Sequence, residues 1–442
     1  MTRDTLLQII TDSLKAMDPY HVLFRRLRLL EPGNKLQIDD LTWELGEFPN
    51  IWVLGSGKAS AAMGLALEEI FGKRITDGII ITPKGTSREL NRIQLLDGSH
   101  PIPDANSLAA TYELIDLAGK IPAGDLVFYL VSGGSSALLC MPAGSLELED
   151  LATTHRLLLR SGADIHEMNI VRTALSDVKG GQLLKHFFHT TQIDLIISDV
   201  PGDDFKTIGS GPVTPGVIDY DQAFRILKKH QLWDEVTHEV RTHIARGMHE
   251  SSRRETPPHP GRHHQILLSS ASMLADEVRQ QCKQSGFKTD IHKPAYSLPI
   301  EELEAKIVEQ IKKFRSEQNN TDSSPSGLIW FGESSVQVTG SGKGGRNQEL
   351  ALRIARHLTP DDRILFASVG TDGVDGPTDS AGAIVDGQTA VKAEELGLNP
   401  ETFLNNNDSY TFFEHTGGHI KTGPTGNNLM DLQILLGWES VS

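Results

Sequence analysis

The chain has 442 residues, a formal net charge of -16 and an ordinary 38% of hydrophobic residues. That length exceeds what one hydrophobic core usually supports, so two domains are expected, with the functional site in the cleft between them. The acidic balance and the lack of a long Lys/Arg run argue against nucleic-acid binding, and no apolar run is long enough to span a bilayer, so a cytoplasmic protein with only local cationic sites is expected.

Residues 1–20 set Leu6, Leu7, Ile10, Leu14 and Met17 among Asp4, Asp12 and Lys15, which predicts an amphipathic helix without the apolar core of a signal peptide. From 51 to 213 the pattern repeats as apolar strand, Gly/Ser turn and helix. IWVLG precedes GKASAAMGLALEEIFG, DLVFYLV precedes SGGSSALL, and QIDLIISD precedes VPGDD. Continuous apolar strands, as opposed to alternating ones, predict an α/β fold with a doubly wound, mostly parallel N-terminal sheet, binding ligands beyond its strand C-termini. Residues 147–188 read as mostly helical and include the turn Lys179-Gly180-Gly181.

The polar, proline-containing stretch SSRRETPPHPGRHH at 251–264 reads as a linker. It separates an N-terminal domain, 1–250, from a smaller α/β domain with a mixed sheet, 265–442. In that second domain a strand is expected at 266–268, then KTDIHKP, a long helix ending near Phe314 and a polar loop at 318–326. GLIWFGESSVQVTG reads as strand, turn, strand; DRILFASVG as a buried strand; LMDLQILLG as a closing strand. Cys140 and Cys282 stand far apart in apolar or helical segments, which predicts reduced, buried thiols and gives no support to a zinc site.

The loops carry the candidate chemistry. Gly55-Ser56-Gly57-Lys58 follows a strand and opens a helix, where a lysine opposes the helix dipole unless an anion compensates. Trp52 occupies the position where a P-loop needs glycine. The dinucleotide fingerprint fits only with Ser60 in third place and without a following acidic residue, which disfavours a nicotinamide cofactor. Ser132-Gly133-Gly134-Ser135-Ser136 is either an oxyanion-binding turn or a tight-packing one, and it is not the nucleophile elbow of a serine hydrolase. Asp199 and Asp204, with Gly209-Ser210-Gly211, follow the next strand; the carboxylates suit magnesium held through water, acceptance of a hydroxyl proton, or capping of the next helix.

The segment GSGKGGRNQE at 340–349 combines glycines, Lys343 and Arg346 with a helix start, and reads as an anion site. The helix behind it shows Leu350, Ala351, Ile354, Ala355 and Leu358 at helical spacing. Asp372, first beyond a buried strand, is a candidate for a polar role, whereas Asp375 and Asp379 read as turn formers without EF-hand spacing. HTGGHIKTGPTGNN, with His415, His419, Lys421 and Asn427, reads as a lid or substrate-contacting loop lacking a third zinc ligand.

VLGSGKASAAMG, GSHPIPDANS, LVSGGSSALL, NIVRTALSDVKGGQL, SDVPGDD, GSGPVTPG, GKGGRNQELAL, GTDGVDGPTDSAG and TGPTGNNLMDLQI run in order across nearly the whole chain. In these motifs the chain resembles the glycerate 2-kinases that join a glycerate-kinase N-terminal domain to a C-terminal MOFRL domain, and that are often labelled hydroxypyruvate reductases. The resemblance implies transfer of phosphate from ATP, with Mg2+, to D-glycerate, giving 2-phosphoglycerate in an interdomain cleft; a homodimer is compatible with it. It implies catalytic roles for Lys58, Arg346 and Asp372. Nucleotide or substrate contacts are expected from Ser56, Gly57, Ser132, Gly133, Gly134, Ser135, Lys179, Gly209, Ser210, Gly211, Lys343, Asn347 and Glu349, with Asp199 and Asp204 near magnesium through water or phosphates. Two positions depart from the family pattern: Ala174 stands where a histidine is usual, and Val213 precedes Thr214 where SGPT is usual. The rival readings are an NAD(P)H-dependent hydroxypyruvate reductase and a non-catalytic two-domain binder of a phosphorylated acid.

Overall fold

The structure, a computed structural model, describes residues 1–30, 32–251, 253–256, 262–317 and 325–438. The chain divides into two compact units, Pro19–Leu268 and a second one that combines Met1–Asp18 with Ser269–Ser442. The first helix, Arg3–Ala16, therefore joins the C-terminal part of the chain and not the 1–250 block. It buries Leu6, Ile9 and Ile10 there, and Arg3 ties it down through Nε to Asp386 Oδ2 at 2.7 Å. Among the described residues no helix is long and apolar enough to cross a membrane.

The larger unit holds a six-stranded sheet in the order His263–Ser269, Thr191–Ile197, Leu126–Val131, Ile51–Ser56, Ile75–Pro83, Ile93–Gly98. The last five run parallel. Leu126–Val131 and Thr191–Ile197 are buried at every position, as expected for central strands covered on both faces. The core around Val127, Tyr129, Ile79, Leu114 and Ile196 anchors the sheet, so the turns beyond its strand ends rest on a rigid base. The helices expected within 147–188 appear as Leu148–Arg160 and Ile165–Ala174, which share a separate core with Tyr220–Lys229.

Ile266 and Leu268, expected to start the second domain, are buried in the edge strand of this first sheet. Polar ties explain the assignment: Gln192 N–H donates to the Arg262 carbonyl at 2.8 Å, and His263 Nε2 lies 2.6 Å from Asp194 Oδ2. Of the expected linker 251–264, residues 252 and 257–261 lie outside the described residues, while Arg253–Glu255 pairs antiparallel with Val217–Asp219. Most of the expected polar loop, residues 318–324, also lies outside the described residues.

The second unit has a mixed sheet in the order Lys288–Ile291, Ser326–Ser335, Asp431–Gly437, Ile364–Gly370, Gly382–Asp386, His419–Ile420, with Tyr296–Pro299 also paired to Ser326–Ser335. The expected closing strand is thus a central one: Asp431–Gly437 is buried throughout and pairs antiparallel on both sides. The expected strand, turn, strand at 327–340 is a single strand that runs through Gly332. This glycine has φ +153°, and a Cβ on it would lie 2.1 Å from the Tyr296 carbonyl oxygen, so it permits close strand approach without making a turn. Cys140 and Cys282 are free and buried.

Candidate active site

Beyond the strand Ile51–Ser56 the chain turns at Gly57-Lys58-Ala59 and enters the helix Ser60–Phe71. Gly57 has φ +136°, and a Cβ there would sit 2.1 Å from Ser132 Oγ, so no other residue fits. The neighbouring turn grips this one: Lys58 N–H donates to the Gly133 carbonyl at 2.9 Å and Ala59 N–H donates to Ser132 Oγ at 3.0 Å. Ser56 and Ser135 hydroxyls are also hydrogen-bonded to each other. Because the helix begins two residues later than expected, Lys58 is an exposed turn residue, and its ammonium has no carboxylate partner among the described residues.

A Cβ on Gly134 would lie 3.2 Å from His100 and 3.3 Å from Lys58, which places both side chains over the Gly/Ser turn. On the other side, a Cβ on Gly133 would fall 2.2 Å from Asp199 Oδ2. A cavity of about 200 Å³ opens here, lined by His100, Gly134, Ser136, His155, Arg172 and Asp199 together with Gly209 and several apolar side chains. Ser210 fixes its rim, bonding to Ser136 Oγ at 2.8 Å and to Asn169 Oδ1 at 2.9 Å.

Arg172, from the helix Ile165–Ala174, is only 7% exposed, its Nε has no partner, and among the described residues no carboxylate pairs with it. His155, from Leu148–Arg160, is 2% exposed with an unpartnered Nδ1. Burial, then the charges of Arg172 and Lys179, hold the His155 pKa well below the ordinary imidazole value, so it is neutral at pH 7. His100 keeps an edge in solvent, yet partial burial and then Lys58 and Arg172 press its pKa down to about 4. None of these three was assigned a role from sequence, although His100 and Arg172 sit in GSHPIPDANS and NIVRTALSDVKGGQL. Their signal is tertiary, because a cation in an amphipathic helix is unremarkable until it proves buried and unpaired.

Lys179, expected to contact a ligand, is instead buried with its ammonium donating to the Leu139 carbonyl at 2.8 Å. Burial lowers its pKa to about 8. Its neighbours Gly180 and Gly181 donate to the Ser210 and Gly211 carbonyls at 2.9 and 2.7 Å, so these turns brace each other. Asp204 accepts from Lys206 N–H at 3.1 Å and from Thr207 Oγ at 3.0 Å, a local Asx turn, and the short helix that follows, Ile208–Ser210, has Thr207 as its N-cap residue. Among the described residues no group of three His, Cys, Asp or Glu could hold a metal ion. Asp199 remains as a single carboxylate at the cavity, which suits magnesium that arrives on phosphates and keeps most of its waters.

In the second unit, Arg346 begins the helix Arg346–Ala355, whose Leu350, Ala351, Ile354 and Ala355 are buried as expected, with Leu358 just beyond. Arg346 Nε lies 2.7 Å from Asp431 Oδ2, Nη2 donates to Asp431 Oδ1 at 3.1 Å and Nη1 donates to Glu333 Oε1 at 2.6 Å. Burial opposes its charge, but the two carboxylates outweigh that and raise its pKa. Asp431 is pushed up to about 6 by its own burial, against the pull of Arg346.

In the glycine loop before Arg346, read from its composition as an anion site, several backbone donors are engaged within the unit: Thr339 and Gly340 N–H bind Asn407 Oδ1 at 2.8 and 2.9 Å, Ser341 N–H binds Asn406 Oδ1 at 3.1 Å, and Lys343 N–H binds Asp408 Oδ1 at 2.9 Å. The helix N-terminus is closed by Asp375, whose carboxylate accepts from Asn347 and Gln348 N–H at 3.0 and 2.8 Å. Lys343 itself lies over the Tyr410 ring, 3.9 Å from its centroid. Asn347 donates to Asp431 at 2.9 Å and Glu349 accepts from Arg353 and Asn407 at 2.9 and 3.0 Å, so both expected contact residues are engaged inside the unit.

Asp372 is exposed just past Ile364–Gly370, with Oδ1 accepting from Val374 N–H at 3.1 Å. Some polar groups of the expected lid are engaged within this unit. Lys421 pairs with Asp379 at 2.9 Å, Asn427 donates to the Met17 carbonyl at 2.9 Å, His415 lies in the helix Ser409–Thr416, and the His419 ring lies 4.6 Å from that of Tyr410.

The sequence matches the domain of unknown function (DUF4147) over residues 5–245 and the MOFRL family over residues 326–431. It is 36% identical over 439 residues to a glycerate 2-kinase of Pyrococcus horikoshii, an alignment covering 98% of this chain and 97% of that protein. It is 37% identical over 380 residues to a D-glycerate 2-kinase of Thermotoga maritima, covering 86% and 88%. The crystal structure of a glycerate kinase from Thermotoga maritima superposes with a TM-score of 0.85 at 32% identity, covering 98% of this chain and 99% of that one.

Proposed function

We infer the activity from one premise: the chain belongs to the glycerate kinase family, which joins a DUF4147 domain to a MOFRL domain. The reaction we assign is transfer of the γ-phosphoryl group of ATP to the 2-hydroxyl of D-glycerate, giving 2-phosphoglycerate and ADP. The observation that carries this reading is the cavity at the strand ends of the larger unit, small, lined by both polar and apolar side chains, with Arg172 on its wall and Lys58 over Gly134. Its volume of about 200 Å³ suits a three-carbon acid, whereas larger ligands usually occupy ~300–1,000 Å³.

In the transfer, the 2-hydroxyl oxygen forms a bond to the γ-phosphorus as the bond to the β,γ-bridging oxygen breaks. Little covalent help is required; charge must be neutralised and the acceptor held in line. Lys58, without a competing carboxylate, is assigned to the transferring phosphoryl oxygens. Arg346, braced by Asp431 and Glu333, is assigned to neutralising phosphate charge, and its bracing orients the guanidinium before substrate arrives. Asp372, exposed just beyond its strand, is assigned to accepting the hydroxyl proton. Asp199 is the residue that would approach a bound magnesium ion, which supplies charge neutralisation on the nucleotide phosphates.

The decisive experiment is incubation with magnesium-ATP and D-glycerate, following ADP release and identifying the product by phosphorus NMR. Glycerate-dependent ADP release with a 2-phosphoglycerate signal is expected. NADH oxidation with hydroxypyruvate and no ADP release would replace this reading with the reductase one, and binding without turnover would replace it with the non-catalytic binder.

A further inference from the structure

We propose that Arg172, assisted by His155, is the residue pair that holds the carboxylate of the acceptor, and so makes the enzyme selective for small 2-hydroxy monocarboxylic acids over neutral alcohols. The inference rests on the kinase reading above and deepens it.

Two independent observations point to a missing ligand. A guanidinium that is 7% exposed and has no carboxylate partner among the described residues is one of the least favourable arrangements a core can contain. Beside it on the cavity wall, His155 is 2% exposed with Nδ1 unpaired. A single anion in the cavity satisfies both groups.

The choice of a carboxylate follows from shape and surroundings. The planar guanidinium fork matches two carboxylate oxygens, an arrangement a lysine cannot reproduce. Neutral His155 donates through one ring nitrogen without adding charge next to Arg172, whereas an imidazolium there would repel it. The wall near Arg172 also includes Leu159, Ile165 and Met168, suited to a short carbon chain and not to a hydrated phosphate. Lys58 stands at the exposed side, over Gly134, where a phosphoryl group could be met. A carboxylate seated on Arg172 therefore leaves the hydroxyl-bearing carbons facing the Gly/Ser turn.

The test compares wild type with Arg172→Met and Arg172→Lys, measuring KM for D-glycerate and for ATP, turnover of glyceramide as an uncharged acceptor, and Tm. We expect KM for D-glycerate to rise roughly 10- to 150-fold, the worth of hydrogen bonds to a charged group. KM for ATP should stay within about 2-fold, because Arg172 is assigned to the acceptor carboxylate and makes no contact with the nucleotide. The preference for glycerate over glyceramide should collapse in Arg172→Met, and its Tm should equal or exceed that of wild type because an unpaired buried charge has gone. An unchanged glycerate KM in both variants would overturn the proposal while leaving the kinase reading intact. So would equal rises in both KM values, or a lower Tm in both variants with glyceramide discrimination retained, each of which marks a structural role. Failure of the kinase reading is distinct, since wild type itself would then release no ADP with glycerate.

Discussion

Replacing Asp375 by alanine removes the group that closes the helix Arg346–Ala355, and the structure allows the loss to be worked out. Asp375 is 3% exposed, and its carboxylate accepts from Asn347 N–H at 3.0 Å, Gln348 N–H at 2.8 Å and Gln348 Nε2 at 3.0 Å. Loss of a helix cap costs ~1–2 kcal/mol. Each buried backbone donor left without an acceptor adds ~1–3 kcal/mol. Against this, the carboxylate itself is held unfavourably: burial raises its pKa although four hydrogen bonds pull the other way. A net loss of ~3–4 kcal/mol follows for Asp375→Ala. Asp375→Asn, which keeps one acceptor oxygen, should lose about half of that. Hydrogen exchange at the Asn347 and Gln348 amides, read alongside urea unfolding of the whole chain, separates a local effect from a global one. The alanine variant should also gain stability from added sulfate more than wild type does, because its helix N-terminus has become an anion site. Unchanged exchange at these two amides, or a loss below ~1 kcal/mol, would refute the claim that an internal carboxylate has taken the place of a ligand there.

Three further outcomes are expected. Lys58→Ala should lower kcat/KM with D-glycerate about 100-fold or more, the ~3 kcal/mol scale of one transition-state donor, and near-normal turnover would remove Lys58 from the mechanism. Arg346→Lys cannot span Asp431 and Glu333 together, so its activity should fall almost as far as that of Arg346→Ala; equal activity of the lysine and arginine enzymes would contradict a planar, bidentate role. His155 is held neutral in the folded state but takes up a proton below pH 6.5 when unfolded, so the stability it confers is complete above pH 6.5 and is lost as pH falls below it. Urea midpoints at pH 7.5 and 5.5 should therefore converge more closely in His155→Gln than in wild type, and an identical acid-side loss in both would count against this.

The parallel sheet was legible chiefly because LVFYLV is apolar without alternation, a pattern that two-sided burial explains, whereas QIDLII carries the same burial with Gln192 and Asp194 inside it. The 350–358 face of the helix was legible for the same kind of reason, its spacing being set by a period of 3.6. What stayed hidden depends on partners distant in sequence. Nothing within 340–349 announces that Asn406, Asn407 and Asp408 have already claimed several of its backbone donors. Nor does QILL at 265–268 reveal which of two sheets it will extend, since a short apolar run suits either edge. Gly332 misled because glycine serves both turns and close strand contacts. Arg172 was invisible as a site residue, because helical spacing records which face is buried and not whether a charge on that face finds a partner.

The coupling of Gly57 to Ser132 bears on any attempt to re-engineer acceptor choice. A Cβ at Gly57 would overlap the Ser132 hydroxyl, and that same hydroxyl accepts from Ala59 N–H at 3.0 Å, so the two turns are one mechanical part that cannot be exchanged separately. Grafting either loop alone from a relative with different spacing would force them apart and carry the Lys58 backbone with them. Diversification of this surface should therefore draw both turns from the same parent, and leave variation to side chains such as Ser136 and Leu159 that line the cavity without joining the two strands.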